Sequence, residues 1–152
     1  MPGVNNEMKR IVLTILLLLC WTAVSQAKMV SIAGEMVNMR SGPGDNYEVL
    51  WELGQGYPLE VIGQQGNWLQ VTDYENDSGW VQQNRVAEKP YMVVKSKIAN
   101  IRSGPGENYR LIRQAQQGVV FHTLGMKKDW VKVRHEEEDV TGWVQRDLLW
   151  GW

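Results

Sequence analysis

Few residues in this chain have the type and spacing for covalent chemistry. It holds two histidines and one cysteine in 152 residues. A cysteine hydrolase needs a thiolate beside a histidine, yet Cys20 lies in an apolar N-terminal run. A zinc peptidase needs several His or carboxylate ligands converging on one ion. His122 has strand-forming neighbours, and His135 opens the acidic run His135-Glu136-Glu137-Glu138-Asp139. No nucleophile-elbow motif supports a serine triad. The other acidic run, Asp73-Tyr74-Glu75-Asn76-Asp77, lacks the spacing of a known calcium loop, so both runs read as solvated hairpin tips. The chain is therefore expected to be no enzyme and to hold no metal and no cofactor. A different set recurs at fixed spacing and suits binding: Asn38, Arg40 and Tyr47, then Asn100, Arg102 and Tyr109. A guanidinium presents a planar fork of donors to a carboxylate, and aromatic rings offer flat apolar faces with a polar handle.

These residues sit in a unit written twice. Val37-Asn38-Met39-Arg40-Ser41-Gly42-Pro43-Gly44-Asp45-Asn46-Tyr47 returns 62 residues later as Ala99-Asn100-Ile101-Arg102-Ser103-Gly104-Pro105-Gly106-Glu107-Asn108-Tyr109. Gly56, Gly63, Trp68 and Val71 recur at the same offset as Gly118, Gly125, Trp130 and Val133. Gly79-Trp80-Val81-Gln82 recurs one residue further on as Gly142-Trp143-Val144-Gln145, so one residue is inserted where a loop belongs. Self-similarity at a fixed period is the mark of repeated structural units. Within each unit, short runs rich in Val, Ile, Leu and Trp alternate with Gly, Asn, Asp and Pro turns, which predicts strands. They fall near 29–33, 49–52, 59–64, 68–72 and 80–82, and near 92–95, 111–113, 120–124, 130–134 and 143–145. Five short strands in about 60 residues point to a small closed or nearly closed barrel, which leaves few open edges. Eight tryptophans stand against one phenylalanine. Trp80 and Trp143 are expected to supply much of each core, because each ring buries a large area. The join Glu88-Lys89-Pro90-Tyr91 is too short for a flexible tether, so the units are expected to touch.

The ordered run Asn-x-Arg-Ser-Gly-Pro-Gly, Asn-Tyr, a Gly-rich hairpin, Trp-x-x-Val and Gly-Trp-Val resembles the bacterial SH3 (SH3b) family, and both units carry it whole. The resemblance implies an all-β fold of two tandem small SH3-like β-barrels. It also implies a secreted, periplasmic or wall-associated setting, and a targeting role toward peptidoglycan or its peptide stems. Family members are often attached to wall hydrolases. No hydrolase domain accompanies the modules in this sequence, a departure from that habit.

Alternation along a strand sets Val37 and Met39 inward, with Asn38 and Arg40 outward beside the first loop. There Arg40 and Arg102 either pack and pair locally or hold an acidic peptide or glycan group. Tyr47 and Tyr109 either plug the loop onto the barrel or line a groove. Trp68 and Trp130 lie opposite the inward Leu69, Val71 and their counterparts, under the loop or in a cleft. Residues that differ between copies are not demanded by the barrel: Trp51 becomes Arg113, Tyr57 becomes Val119 and Glu60 becomes His122. Trp51 and Tyr57 either stack on a ligand or bury against the second unit. The terminal Trp150 and Trp152 are expected to dock on their own barrel or across the seam. The candidate ligand set is Asn38, Arg40, Tyr47, Trp51, Trp68, Asn100, Arg102, Tyr109 and Trp130.

Lys9 and Arg10, the apolar run 11–21 and Ser25-Gln26-Ala27 have the form of a secretory signal cleaved after Ala27. The expected organisation is a signal peptide at 1–27 and SH3b domains at 28–88 and 89–152, in a periplasmic or wall-associated protein. The membrane would be met only through the signal segment, were it uncleaved. Net charge is −1, which disfavours nucleic acid as a partner. Residues 28–152 hold 14 basic and 16 acidic residues, which argues against simple electrostatic adhesion to anionic wall polymers. The expected function is non-catalytic recognition of peptidoglycan or its peptides. The alternative is an envelope protein–protein adaptor that docks peptides or a separate wall hydrolase.

Overall fold

The computed structural model describes residues 27–152. The expected signal segment lies outside the described residues, Ala27 excepted. Among the described residues, no helix is long and apolar enough to cross a membrane. The first unit is built from β1 (Lys28–Ile32), β2 (Met36–Arg40), β3 (Val49–Gly54), β4 (Pro58–Gln65), β5 (Trp68–Thr72), β6 (Ser78–Gln82) and β7 (Val86–Ala87). The second repeats it with β8 (Tyr91–Val94), β9 (Ile98–Arg102), β10 (Leu111–Gln116), β11 (Val120–Lys127), β12 (Trp130–His135), β13 (Val140–Gln145) and β14 (Leu149–Gly151). A 3-10 turn precedes the last strand of each, at Gln83–Arg85 and Arg146–Leu148. The sheet orders are β3-β2-β6-β5-β4-β1-β7 and β10-β9-β13-β12-β11-β8-β14. Each unit is thus a strongly wrapped antiparallel sheet, as the resemblance implies.

All five expected strands of each unit are present. Two more appear. The Asn-x-Arg segment is itself a strand, and a short last strand pairs back on the first: Ser31 opposes Ala87, and Leu149 opposes Val94. The inserted residue falls in the β12–β13 hairpin, where Asp139 takes the left-handed conformation that Asn76 takes in the β5–β6 hairpin.

Alternation places the core where expected on β2: Val37 and Met39 are buried, while Asn38 and Arg40 face outward. The first core joins these to Val30, Ile32, Leu59, Leu69, Val71 and Val81. The second is assembled around Phe121, Met92, Ile101, Val131, Val133 and Val144. The tryptophans are a correction to the sequence reading. Trp80 and Trp143 are not core residues. Gly79 and Val81 take the inward positions of β6, so the intervening Trp80 must face out, where it stands opposite Arg40 and Gln70. None of the seven described tryptophans is fully buried. Aliphatic side chains and one phenylalanine fill the interiors instead.

The glycine of Gly-Trp-Val lets the sheet wrap. β6 meets β2 at the Arg40–Trp80 pair. A Cβ on Gly79 would lie 2.6 Å from Met39 Cγ and 2.9 Å from the Arg40 carbonyl oxygen. The two units also touch. Gly56, at φ +78°, backs onto the Tyr91 ring, and a Cβ there would lie 2.6 Å from Tyr91 Cδ1. The β14 strand lies against β4, so the C-terminal segment pairs with its own sheet and borders the other unit.

Candidate functional site

Each unit carries one groove on its outer face. In the first, Asn38 and Arg40 from β2, Trp68 from β5, Gln82 from β6 and Asp45 from the long loop share the walls with Met36. In the second, Asn100, Arg102, Trp130, Gln145, Glu107 and Ile98 hold the same six positions. The structure therefore brings together three of the expected residues per unit: the Asn, the Arg and the Trp that opens Trp-x-x-Val, Trp68 or Trp130. Register explains it, since Trp68 lies opposite Gln82 and Trp130 opposite Gln145.

The arginines hold the loop as well as facing the groove. Arg40 Nη1 donates to the carbonyl oxygens of Asp45 (3.1 Å) and Tyr47 (2.9 Å). Arg102 Nη1 donates to that of Tyr109 at 3.0 Å. The groove glutamines donate to the loop acids at 3.3 Å, Gln82 to Asp45 and Gln145 to Glu107. Tyr47 and Tyr109 stand outside both grooves. Their rings lie against Gly42 and Gly104, where a Cβ would collide with them, so they plug the loop. Trp51 is also outside the grooves, 53% exposed on the edge strand β3. Its counterpart Arg113 pairs instead with Glu138, whose carboxyl is held below its usual range chiefly by that hydrogen bond.

Two groove features escaped sequence reasoning. Asp45/Glu107 and Gln82/Gln145 recur in both copies, and that repetition was the available signal. The other is an asymmetry: Arg85 lines the first groove where Leu148 lines the second, which gives the first an additional cation.

A third and larger cleft, about 920 Å³, lies at the seam between the units. Tyr57 enters it from the first unit, half-buried, and its hydroxyl donates to Asp73 Oδ2 at 3.1 Å. Burial and then the Asp73 charge push the Tyr57 hydroxyl above the usual tyrosine range. Asp73 is buried, and its Oδ1 accepts the backbone N–H groups of Glu75 (2.9 Å) and Asp77 (3.0 Å). Asp73, Glu75 and Asp77 do converge, but Asp73 is committed to organising its own loop. Tyr57→Phe is accordingly expected to lower stability by about 1.5–3 kcal/mol, the worth of a hydrogen bond to a charged group, read as a shifted urea midpoint. From the second unit, Tyr91 stacks on His122 (centroids 4.9 Å) and donates to Glu136 Oε1 at 3.3 Å. Burial, then Glu136, raises the Tyr91 hydroxyl. His135 meets the Phe121 ring edge-on at 5.9 Å.

The family profile of the bacterial SH3 domain matches twice, at residues 33–88 and 95–151. The chain belongs to the bacterial SH3 domain family. Members of this family are binding modules. A curated relative is YrvJ of Bacillus subtilis (strain 168), which carries the name of an N-acetylmuramoyl-L-alanine amidase. Identity is 26% over 129 residues, covering 78% of this chain and 24% of YrvJ. The chain thus spans about a quarter of the curated relative it matches. Two solved structures also align, NlpC2 and NlpC1 of Trichomonas vaginalis. NlpC2 has a TM-score of 0.37 at 15% identity, over 82% of this chain and 48% of its own. NlpC1 has 0.38 at 14%, over 84% and 47%.

Proposed function

We propose that this chain is an exported, non-catalytic tandem SH3b module that recognises peptidoglycan through its peptide portion in the bacterial cell envelope. The observation that carries this reading is the duplicated groove, built from the same six positions in each unit. The chemistry suits a peptide: an arginine for carboxylates, Asn and Gln for backbone amides, and a Trp face for apolar stems. YrvJ, which carries the name of an N-acetylmuramoyl-L-alanine amidase, supports the setting. Both histidines engage aromatic rings and glutamates, Tyr91 and Glu136 around His122, Phe121 and Glu138 around His135. That arrangement suits structure better than turnover. Two weak sites tied by the short join Glu88-Lys89-Pro90-Tyr91 gain avidity on a repeating polymer where both grooves reach it.

The test is co-sedimentation with purified, protein-free sacculi. Wild type is expected to be depleted from the supernatant. Trp68→Ala with Trp130→Ala is expected to weaken depletion about 100-fold, and either change alone to fall between, since each leaves one groove. Trp is the better probe than Arg, because removing Arg40 or Arg102 also frees the loop. Wild type left in the supernatant would overturn the reading. A second reading, an adaptor for envelope proteins, draws on β3, where Val49, Leu50 and Trp51 are all exposed on an edge strand. It predicts that Trp51→Ser abolishes partner capture while both grooves remain dispensable.

A further inference from the structure

The two face grooves share six positions and part company at a seventh, where Arg85 lines the first and Leu148 the second. Both residues close the 3-10 turn before the last strand of their unit. The Arg85 guanidinium has a seat. Its Nη2 donates to the Met36 carbonyl oxygen at 3.3 Å and passes over Gly34, where a Cβ would lie 3.0 Å from that nitrogen. The counterpart of Gly34 in the second unit is Ser96. Arginine and glycine thus occur together in one unit, and the other unit has neither.

The charge of the walls differs accordingly. Arg40 already has the Asp45 carboxylate beside it, Nε to Oδ1 at 4.0 Å, and commits Nη1 to two loop carbonyls. Arg85 makes no ion pair among the described residues. The first groove therefore sets two arginines against one carboxylate. The second sets Arg102 against Glu107, one of each, and Leu148 adds apolar surface from beside the second core. An unpaired guanidinium is a fork of donors for a carboxylate, whereas a balanced groove with an apolar wall favours a segment without charge.

We propose that the grooves divide the peptide by charge. The first takes a segment bearing a free carboxylate, which pairs with Arg85. The second takes an uncharged segment along Leu148 and Trp130. The inference rests on the reading of the grooves as peptide sites and adds which chemistry each one selects.

The test is an NMR titration of the isotope-labelled protein with Nα-acetyl-alanyl-alanine and with its C-terminal amide, read at the indole N–H groups of Trp68 and Trp130. At Trp68 the acid should bind about fivefold more tightly than the amide, the effect of one unit charge at about 4 Å in water. Added salt should shrink that advantage. At Trp130 the two should bind alike. Arg85→Leu should abolish the acid's advantage at Trp68 and leave the amide unchanged, while Arg85→Lys should keep most of it. Arg85 is exposed, so both variants should fold. The reciprocal Leu148→Arg should create the same advantage at Trp130. Nα-acetyl-glutamate α-amide carries its carboxylate on a side chain: weaker binding than the dipeptide acid at Trp68 assigns a chain end as the source, and tighter binding assigns a side chain. An equal acid preference at both indoles, or one that survives Arg85→Leu, would overturn the proposal and leave the grooves as peptide sites. No shift at either indole would remove the grooves as peptide sites, and the proposal with them.

Discussion

Gly142→Ala should cost the second barrel about 3 kcal/mol, and Gly79→Ala the first barrel about as much. A Cβ on Gly142 would lie 2.5 Å from Ile101 Cγ2 and 2.7 Å from the Arg102 carbonyl oxygen. One of those neighbours is backbone and the other is a buried core side chain, so neither can step aside cheaply. The collision also falls where β13 meets β9, at the Arg102–Trp143 pair. A barrel of this size has roughly 3–9 kcal/mol in total, so the change removes a large share. Calorimetry should show the affected transition falling by roughly 10–25 °C. Gly66 and Gly125 are the controls. Gly66 has φ +56° with open space beyond it, so alanine there should cost about 1 kcal/mol from backbone conformation alone. Gly125 has neither constraint, and alanine there should be close to neutral. Equal losses at Gly142 and Gly66 would mean that sheet wrapping does not depend on the absent side chain.

Gly56→Ala should destabilise the protein by about 1–3 kcal/mol more than Gly118→Ala. The two glycines occupy the same turn of the repeat and both have positive φ, +78° and +88°. The backbone penalty is therefore shared. Only Gly56 has a neighbour, the Tyr91 ring of the other unit, whereas a Cβ on Gly118 would meet open space. The excess cost measures inter-unit packing. It should vanish in a Tyr91→Ala background, which makes the comparison a double-mutant cycle. Chemical denaturation of wild type, the two glycine variants, Tyr91→Ala and the two double variants gives the result. If the excess survives removal of Tyr91, its origin lies within the first unit and the seam is not what Gly56 supports.

The repeat made most of the fold legible. Alternation alone placed Val37 and Met39 inside and Asn38, Arg40 and Trp68 outside, because each residue along a strand has a fixed face. The same rule, applied to Gly79-Trp80-Val81, would have turned Trp80 outward. The appeal of a large ring for a small core runs against it, and the structure fills that core with valines, leucines, Ile32 and Met39 instead. The short strands β7 and β14 were invisible because each has only two or three residues, too few to show a period. Part of the groove was readable, since Asn38, Arg40 and Trp68 recur with their register. Gln82 and Asp45 recur as well, but their meeting depends on how the long loop folds back over β6. The seam cleft was not readable at all. It depends on where two sheets are placed relative to each other, which no spacing along the chain encodes.

The pairing of first and last strands has a mechanical consequence. In each unit the chain enters and leaves side by side: β1 with β7 through Ser31–Ala87 and Ile32–Val86, β8 with β14 through Leu149–Val94 to Gly151–Met92. These strands are antiparallel, so tension along the polypeptide pulls apart the two ends of one pair. Such a load breaks rungs in sequence, like a zip, instead of shearing them together. Each rung is worth about 1 kcal/mol, so the terminal strand yields early while the hydrophobic interior behind it stays closed. A load applied through the ends of the chain thus meets a short compliant element at each barrel, able to lengthen under force and re-form when the force is released.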